Sequence, residues 1–292
     1  MHIVRTIDEL RSALRSRRER GNSIGFVPTM GALHRGHTSL MSEARRRCDV
    51  VVASIFVNPA QFLDPAGYDR YPRNEEEDAR LAESEGVDLL FAPPVAEIYP
   101  DGFATAVTVR GELAGTLHDT RLAEDGQLSG MCTIIVKLLN IVQPTVVFFG
   151  EKDLPHWIAV ERMARDLNVP AEIAVLPTVR DTDGLPLSSR NVQLGDHRQR
   201  AACLPRALRA ALDVVDSGAG TPLEAKNRAR EELDVEYVEI EYVEILNIET
   251  LRSATDLSEP SIIAIGARVG GVALLDIARS AAAISAPETT HG

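Results

Sequence analysis

The 292-residue sequence has only three cysteines, Cys48, Cys132 and Cys203, odd in number and far apart. They make neither a disulfide framework nor the paired ligands of a zinc site, and this scarcity fits a chain working in a reducing cytoplasm. A basic surplus is also missing: 31 Lys and Arg stand against 43 Asp and Glu, a formal net charge of −12. A nucleic-acid binder needs positive charge to neutralise phosphates, so that class is excluded. Any anionic ligand must instead be caught by a local pocket. No apolar run reaches the roughly 20 residues of a membrane-spanning helix. The Arg-rich opening MHIVRTIDELRSALRSRRER contains acidic residues, unlike a transit peptide. Its Thr6-x-x-Glu9 reads as a capping box that opens a surface helix.

What is present is the composition of a globular protein with a sizeable core, 45% hydrophobic and 25% charged. Strand-like and helical stretches alternate through the first two-thirds. SIGFVPT (23–29) reads as a buried strand, followed by a helix over 36–47. DVVVASIFV (49–57) is a continuous β-branched run, as in a strand covered on both faces. A charged helix follows, NEEEDARLAESEG, and then the strand VDLLFAP (87–93). GMCTIIVKLLNIVQP (130–144) has helical spacing and stops at Pro144; its Cys132 falls on the apolar face and reads as core. TVVFFG (145–150), a helix over 155–169 and AEIAVLPTV (171–179) complete the series. This order implies an α/β fold with a parallel, doubly wound, Rossmann-like sheet, whose ligands sit beyond the carboxyl ends of the strands. Past residue 180 the pattern changes to two helices, an alternating strand and a hairpin about Gly270-Gly271, a smaller α+β domain. The expected division is 1–178, 179–282 and a disordered tail over 283–292.

The segment PTMGALHRGH (28–37) lies where the first strand of this series passes into a helix. A glycine-containing strand-to-helix loop offers free backbone N–H groups at the positive end of a helix dipole. Gly31 and Gly36 would let a phosphate approach the backbone. His34 and His37, three apart, point the same way and can donate hydrogen bonds to phosphate oxygens or to a pyrophosphate leaving group. The plainer alternative is a pair of structural histidines at a helix start. LPLSSRN (185–191) offers two hydroxyls and an arginine after the last parallel strand; it reads either as a turn with a helix cap or as the second half of a phosphate clamp.

The single HxGH resembles the signature of the nucleotidyltransferase superfamily. With SIFVNPAQF (54–62), YPR (71–73), NIVQPTVVFFGEKD (140–153), PTVRDTDGLPLSSRN (177–191) and ARVGG (267–271), the chain resembles the pantothenate synthetase (pantoate–β-alanine ligase) family, collinearly over about residues 1–280. The resemblance implies an ATP- and Mg²⁺-using ligase that forms an acyl adenylate and passes it to an amine. It implies that Met30, His34, His37, Gly150, Lys152, Asp153, Val179, Ser188, Ser189 and Arg190 hold ATP. Of these, His34, His37, Lys152, Ser188, Ser189 and Arg190 would serve catalysis at the phosphates. Thr29, Met30, Asn58, Gln61, Tyr71 and His156 would face the acid or amine, and Glu77 and Asp78 would stand near the metal. It further implies small-molecule substrates and a homodimer. No residue is assigned as a covalent nucleophile, because a trapped mixed anhydride needs only a neighbouring amine.

Two stretches depart from the family. Its EKDYQQL or EKDFQQL is EKDLPHW here, with Pro155 and His156 at the glutamine positions. Its RPGHFRG is EDGQLSG (124–130), with Glu124 for the arginine and Gln127 for the histidine. A unit charge 4 Å from a phosphate is worth roughly 4 kcal/mol before desolvation, so these changes matter. They raise a divergent acid or amine as an alternative to pantoate and β-alanine. A nucleotidyltransferase and a non-catalytic descendant are further alternatives, opposed by Gln61 and the C-terminal domain, and by the retained histidines and Lys152, respectively.

Overall fold

The computed structural model describes residues 1–62, 64–109, 127–233, 236–248 and 252–285. Glu124 lies outside them, as do the side chains of Gln127, Pro155 and Ser189. The described residues form two compact units that divide between Val179 and Arg180.

In the first unit the chain runs β1 (His2–Val4), α1 (Ile7–Glu19), β2 (Ile24–Thr29), α2 (Arg35–Arg47), β3 (Val50–Ile55), α3 (Pro65–Arg70), α4 (Glu75–Ser84), β4 (Leu89–Phe91), α5 (Val95–Ile98), α6 (Gln127–Val142), β5 (Val146–Gly150), α7 (Leu154–Asp166) and β6 (Glu172–Leu176). One-turn 3₁₀ helices follow β3 at Pro59–Gln61 and β5 at Glu151–Asp153. All six strands pair in parallel, in the order β1-β4-β3-β2-β5-β6. This is the doubly wound sheet expected from the alternation. The β-branched run of β3 is buried from Val50 to Ala53, since helices cover both faces. Phe26, Phe91 and Phe148 are fully enclosed, each contributing roughly 1.5–3 kcal/mol through burial.

α1 carries the expected capping box: Glu9 N–H donates to Thr6 Oγ1 at 3.2 Å, and Thr6 N–H to Glu9 Oε2 at 3.0 Å. It is not wholly a surface helix, because Leu10 and Leu14 are buried. β1 was not legible in the sequence; three residues are too few to display a period-two pattern. α6 begins three residues before the expected 130, and β6 ends three before 179.

The second unit contains a 3₁₀ stretch over Ser189–His197, α8 (Arg198–Ala201), α9 (Cys203–Ser217), α10 (Pro222–Glu232), β7 (Val238–Asn247), β8 (Ser261–Val269), β9 (Val272–Arg279) and α11 (Ala281–Ser285). The antiparallel sheet β7-β8-β9 packs Val243, Ile245, Ile263 and Ile265 against Leu204, Ala207, Leu208 and Ala211 of α9. The β8–β9 turn has φ of 57° at Gly270 and 80° at Gly271, the left-handed pair that a two-residue hairpin requires. A bulge between Ile240 and Tyr242 breaks the even alternation of EYVEIEYVEI. Residues 283–285, expected in a disordered tail, are helical instead, with Ala283 buried and its N–H donating to Ser280 Oγ at 3.2 Å. Among the described residues no helix is long and apolar enough to cross a membrane.

Candidate active site

The strand order reverses between β2 and β5: the chain moves from β2 outward through β3 and β4, then returns to β5 on the other flank. Parallel sheets leave a crevice at the carboxyl ends of such a strand pair. The residues leaving β2 are Thr29 and Met30; those leaving β5 are Gly150, Lys152 and Asp153. A cavity of about 210 Å³ also lies over the ends of β2 to β4, lined by Met30, Gly31, Ile55, Phe56 and Asp78 among others. A larger open groove of about 860 Å³, between Arg206, Asp213 and Arg228 of the second unit, contains none of the expected site residues.

The loop after β2 is held from within. Thr29 Oγ1 donates to Ser54 O at 2.6 Å and accepts Gly31 N–H at 3.1 Å. Gly31 has φ of 81°, and a Cβ there would stand 2.9 Å from Asp78 Oδ2, so both backbone and neighbour require glycine. Ala32, at φ of 52°, is left-handed without that excuse, a strained position that its surroundings must enforce. The enforcement is visible: Ala32 N–H and Leu33 N–H donate to the two Asp78 oxygens at 2.9 and 2.7 Å.

His34 then caps α2 with its ring. Gly36 N–H donates to His34 Nδ1 at 3.1 Å, and His34 N–H donates to His37 Nδ1 at 3.3 Å, a capping box built from two imidazoles. This corrects the expectation of free backbone amides. Those of Gly31, Ala32, Leu33, His34 and Gly36 are already taken by side chains. The imidazoles keep a further donor each. A ring whose Nδ1 accepts must carry its proton on Nε2, so each presents an Nε2–H. The rings lie 4.1 Å apart, centroid to centroid. The capping reading of the histidines holds at Nδ1, and it leaves Nε2 of each ring uncommitted to the cap.

Both rings are neutral near pH 7. Burial pushes His37 down to about 3, helped by neighbouring His34 and Lys152 and opposed by Asp153. Burial and then Lys152 lower His34, again against Asp153. The end of β5 thus acts electrostatically on both rings. The folded value for His37 lies below the ordinary one near 6.5, so its contribution to stability is complete above that pH and falls as pH drops toward about 3. One proton taken up on unfolding gives a slope of about 1.4 kcal/mol per pH unit. Urea titrations between pH 4 and 7.5 should show a shallower acid slope in His37→Gln than in the native chain. Parallel slopes would disprove the assignment.

Glu77 and Asp78 do not fit a metal pair. Asp78 is 3% exposed with both oxygens committed to the loop, and Glu77 is ion-paired with Arg80 on the surface of α4. Among the described residues no group of three His, Cys, Asp or Glu is arranged to hold a metal. Asp78 instead holds the histidine loop. Asp78→Asn turns an N–H₂ toward one of the two amides, and about 1–3 kcal/mol of stability is expected to be lost for the buried donor left without a partner. Chemical denaturation measures the loss, and an unchanged midpoint would refute the loop-holding role.

After β5, Gly150 caps the turn that carries Lys152 and Asp153. Buried Glu151 anchors that turn: Thr178 N–H donates to its carboxylate at 3.3 Å, and the Trp157 indole N–H to its carbonyl at 3.2 Å. Val179 follows Thr178. His156 sits in the first turn of α7, half-buried. Cys132 is core as expected, with burial pushing its thiol up to about 11.

The exit of β3 lies beside that of β2, with Phe56 N–H donating to Thr29 O at 3.0 Å. Asn58, expected to face substrate, is 1% exposed and makes four hydrogen bonds to protein. Gln61 is half-buried on the same turn. Tyr71 stacks edge-on with Phe62 at 5.7 Å, in a segment pinned by Arg73, whose guanidinium donates to the Tyr68, Asp69 and Tyr71 carbonyls. Glu151, Tyr99 and Gly130 support this site, and none was singled out in the sequence. Each acts through a contact distant in sequence, for which residue type gives no signal.

In the second unit, Ser188 Oγ accepts Arg190 N–H at 3.2 Å, so the cap reading of SSRN holds for Ser188. The preceding turn is locked by Arg180, which makes two bonds of 2.8 and 2.9 Å to fully buried Asp276, and by Arg198, which spans Asp181 and Asp183. Arg190 is exposed.

A doubly wound sheet with an HxGH turn and a lysine at its switch point defines a nucleotidyltransferase-like fold. The model of the family Pantoate-beta-alanine ligase matches residues 2–279. A pantothenate synthetase of Pelotomaculum thermopropionicum is 43% identical over 286 residues, 94% of this chain and 98% of the relative. One of Aquifex aeolicus is 42% identical over 276 residues, 94% and 97%. The crystal structure of the Thermus thermophilus enzyme superposes with a TM-score of 0.87 at 43% identity, covering 95% of this chain and 99% of that one. The Francisella tularensis ligase, solved with beta-gamma ATP and β-alanine, gives 0.77 at 33%, covering 96% and 97%. The chain belongs to the pantoate–β-alanine ligase family and is an amide-forming, AMP-forming ligase.

Proposed function

We propose that this chain joins pantoate to β-alanine in two steps on one site, using ATP. The observation that carries the reading is the pair of neutral imidazoles, each capped at Nδ1, under the electrostatic influence of Lys152 at the strand-order reversal. In the first step a pantoate carboxylate oxygen attacks the α-phosphorus. The bond from that phosphorus to the bridging oxygen breaks, and pyrophosphate leaves with the electron pair. The Nε2–H groups of His34 and His37 and the Lys152 ammonium meet the charge gathering on the phosphates. Neutral donors suit this task, because they neither lose a proton to the leaving group nor repel Lys152.

In the second step the β-alanine nitrogen attacks the acyl carbon, the C–O bond to AMP breaks, and the nitrogen gives up a proton. No protein nucleophile intervenes, and proximity supplies the rate. In this reading Ser188, Ser189 and Arg190 also bind phosphates. Asp153 takes the ribose, Gly150, Val179 and Met30 the rest of the nucleotide, and Thr29, Gln61 and Tyr71 the acid. A cytoplasmic homodimer belongs to the same reading, carried by family resemblance; sedimentation checks the assembly.

One observation favours a second reading. His156 puts an imidazole where the family has an acid-facing glutamine, which favours a different small carboxylate or amine joined by the same chemistry. ATP–pyrophosphate exchange across a panel of small carboxylates, with and without amines and with product masses, decides between them. Exchange driven by pantoate, followed by pantothenate formation, supports the first reading. Exchange driven only by another acid overturns it.

A further inference from the structure

Asn58 is the residue whose surroundings say most about its neighbour. Its amide makes four bonds: Nδ2 donates to Gln61 Oε1 at 2.9 Å and to Gly130 O at 3.1 Å, while Oδ1 accepts Ala60 N–H at 3.3 Å and Tyr99 O–H at 2.8 Å. Two of these partners have no choice of polarity. A backbone N–H can only donate, so Ala60 must face Oδ1; a backbone carbonyl can only accept, so Gly130 must face Nδ2. The orientation of Asn58 is therefore fixed by the main chain, although oxygen and nitrogen of an amide are otherwise hard to tell apart. Two consequences follow. The Tyr99 hydroxyl is forced to donate. Gln61, meeting a donor, is forced to turn its oxygen inward, which leaves its Nε2 with two protons pointing away from Asn58. No partner for that Nε2 lies among the described residues, and Gln61 is half-buried at the exit of β3.

We propose that Asn58 and Tyr99 are positioning residues that hold the Gln61 amide with its N–H₂ toward the acid, so that the site selects a substrate oxygen at that point. The proposal rests on the reading of Gln61 as an acid-binding residue. It moves Asn58 from substrate contact to support, and adds Tyr99, 41 residues away in sequence, to the specificity machinery. Tyr99 is itself confined, lying 5.0 Å edge-on from Phe103 and 6.1 Å from Phe56 between ring centres.

Asn58→Asp is the sharpest test. A carboxylate cannot donate to Gln61 Oε1, so Gln61 reverses, gives its N–H₂ to the new acid and turns its carbonyl oxygen toward the substrate oxygen. The KM for the acid should rise about 100-fold while that for ATP stays within about twofold. Tyr99→Phe removes only the hydroxyl and should raise the acid KM about 5- to 10-fold. It also serves as the fallback should Asn58→Asp fold poorly. Both changes are then repeated in a Gln61→Ala background. If they act through Gln61, they cost less than twofold there. If each costs as much with alanine at 61 as with glutamine, they act on the fold alone and the proposal is overturned. The cycle is run with whichever acid of the panel drives exchange. Failure of pantoate therefore overturns the substrate assignment, while the cycle still judges the positioning pair.

Discussion

Replacing His34 or His37 by alanine is expected to reduce ATP–pyrophosphate exchange by about 10²–10³-fold, the usual effect of deleting one preorganised donor at developing charge. Each substitution also removes a cap, His34 from Gly36 N–H and His37 from His34 N–H, and so costs about 1 kcal/mol of stability as well. The two effects separate in His34→Asn. Asparagine is a strong N-cap and offers an acceptor to Gly36, but its short amide cannot reach where Nε2 stands. Stability should return toward the native value while exchange stays low. Recovery of both would make His34 only a cap. The double alanine variant should lose much less than the product of the single losses, because the rings touch and one orders the other.

The second large effect is expected at Gly130, which sequence reasoning gave no role. In α6, alanine would ordinarily gain about 1 kcal/mol over glycine. Here an added Cβ would lie 2.1 Å from Ala60 O and 2.6 Å from Ala60 C, both backbone atoms that no rotamer change can move. Overpacking costs typically 1–3 kcal/mol, and this overlap belongs at the upper end, so the strain wins. The turn Pro59–Gln61 must shift, taking with it Asn58 and the Asn58–Gly130 bond. Gly130→Ala should therefore lower the melting temperature by several degrees and weaken acid binding more than ATP binding. An unchanged melting temperature with normal acid KM would mean that the helix and the turn separate freely.

The contrast between those two sites shows which residues could be read in advance. The pairing of His34 and His37 at a helix start was legible because a strand, a glycine loop and a helix start lie within ten consecutive residues, so local geometry alone brings the two rings together. The position of Lys152 was legible for the same reason, just past the end of another buried strand. Gly31 has a reason the sequence did not display: it admits the Asp78 carboxylate, a contact that spans more than 40 residues. Asp78, which the family resemblance puts near a metal, spends both oxygens on that loop. Asn58 was placed near the acid, yet only Tyr99 and Gly130, from two other elements, make it a wholly enclosed support.

By itself, then, the sequence determined the alternation of elements, the parallel sheet and its helices, and the placing of two histidines at the start of a helix after a strand. Those are set by periodicity and by caps a few residues apart, interactions the chain makes with its near neighbours. Only the tertiary structure decided which nitrogen of each histidine is left to donate, where the carboxylate of Asp78 is spent, and which way Gln61 faces. A hydrogen bond's direction depends on the partner that folding brings. Asp78 meets amides 45 and 46 residues away, and Asn58, which sets Gln61, is held by Gly130 and Tyr99, 72 and 41 residues away. Each histidine's Nδ1, by contrast, is taken within its own turn once the loop is bent.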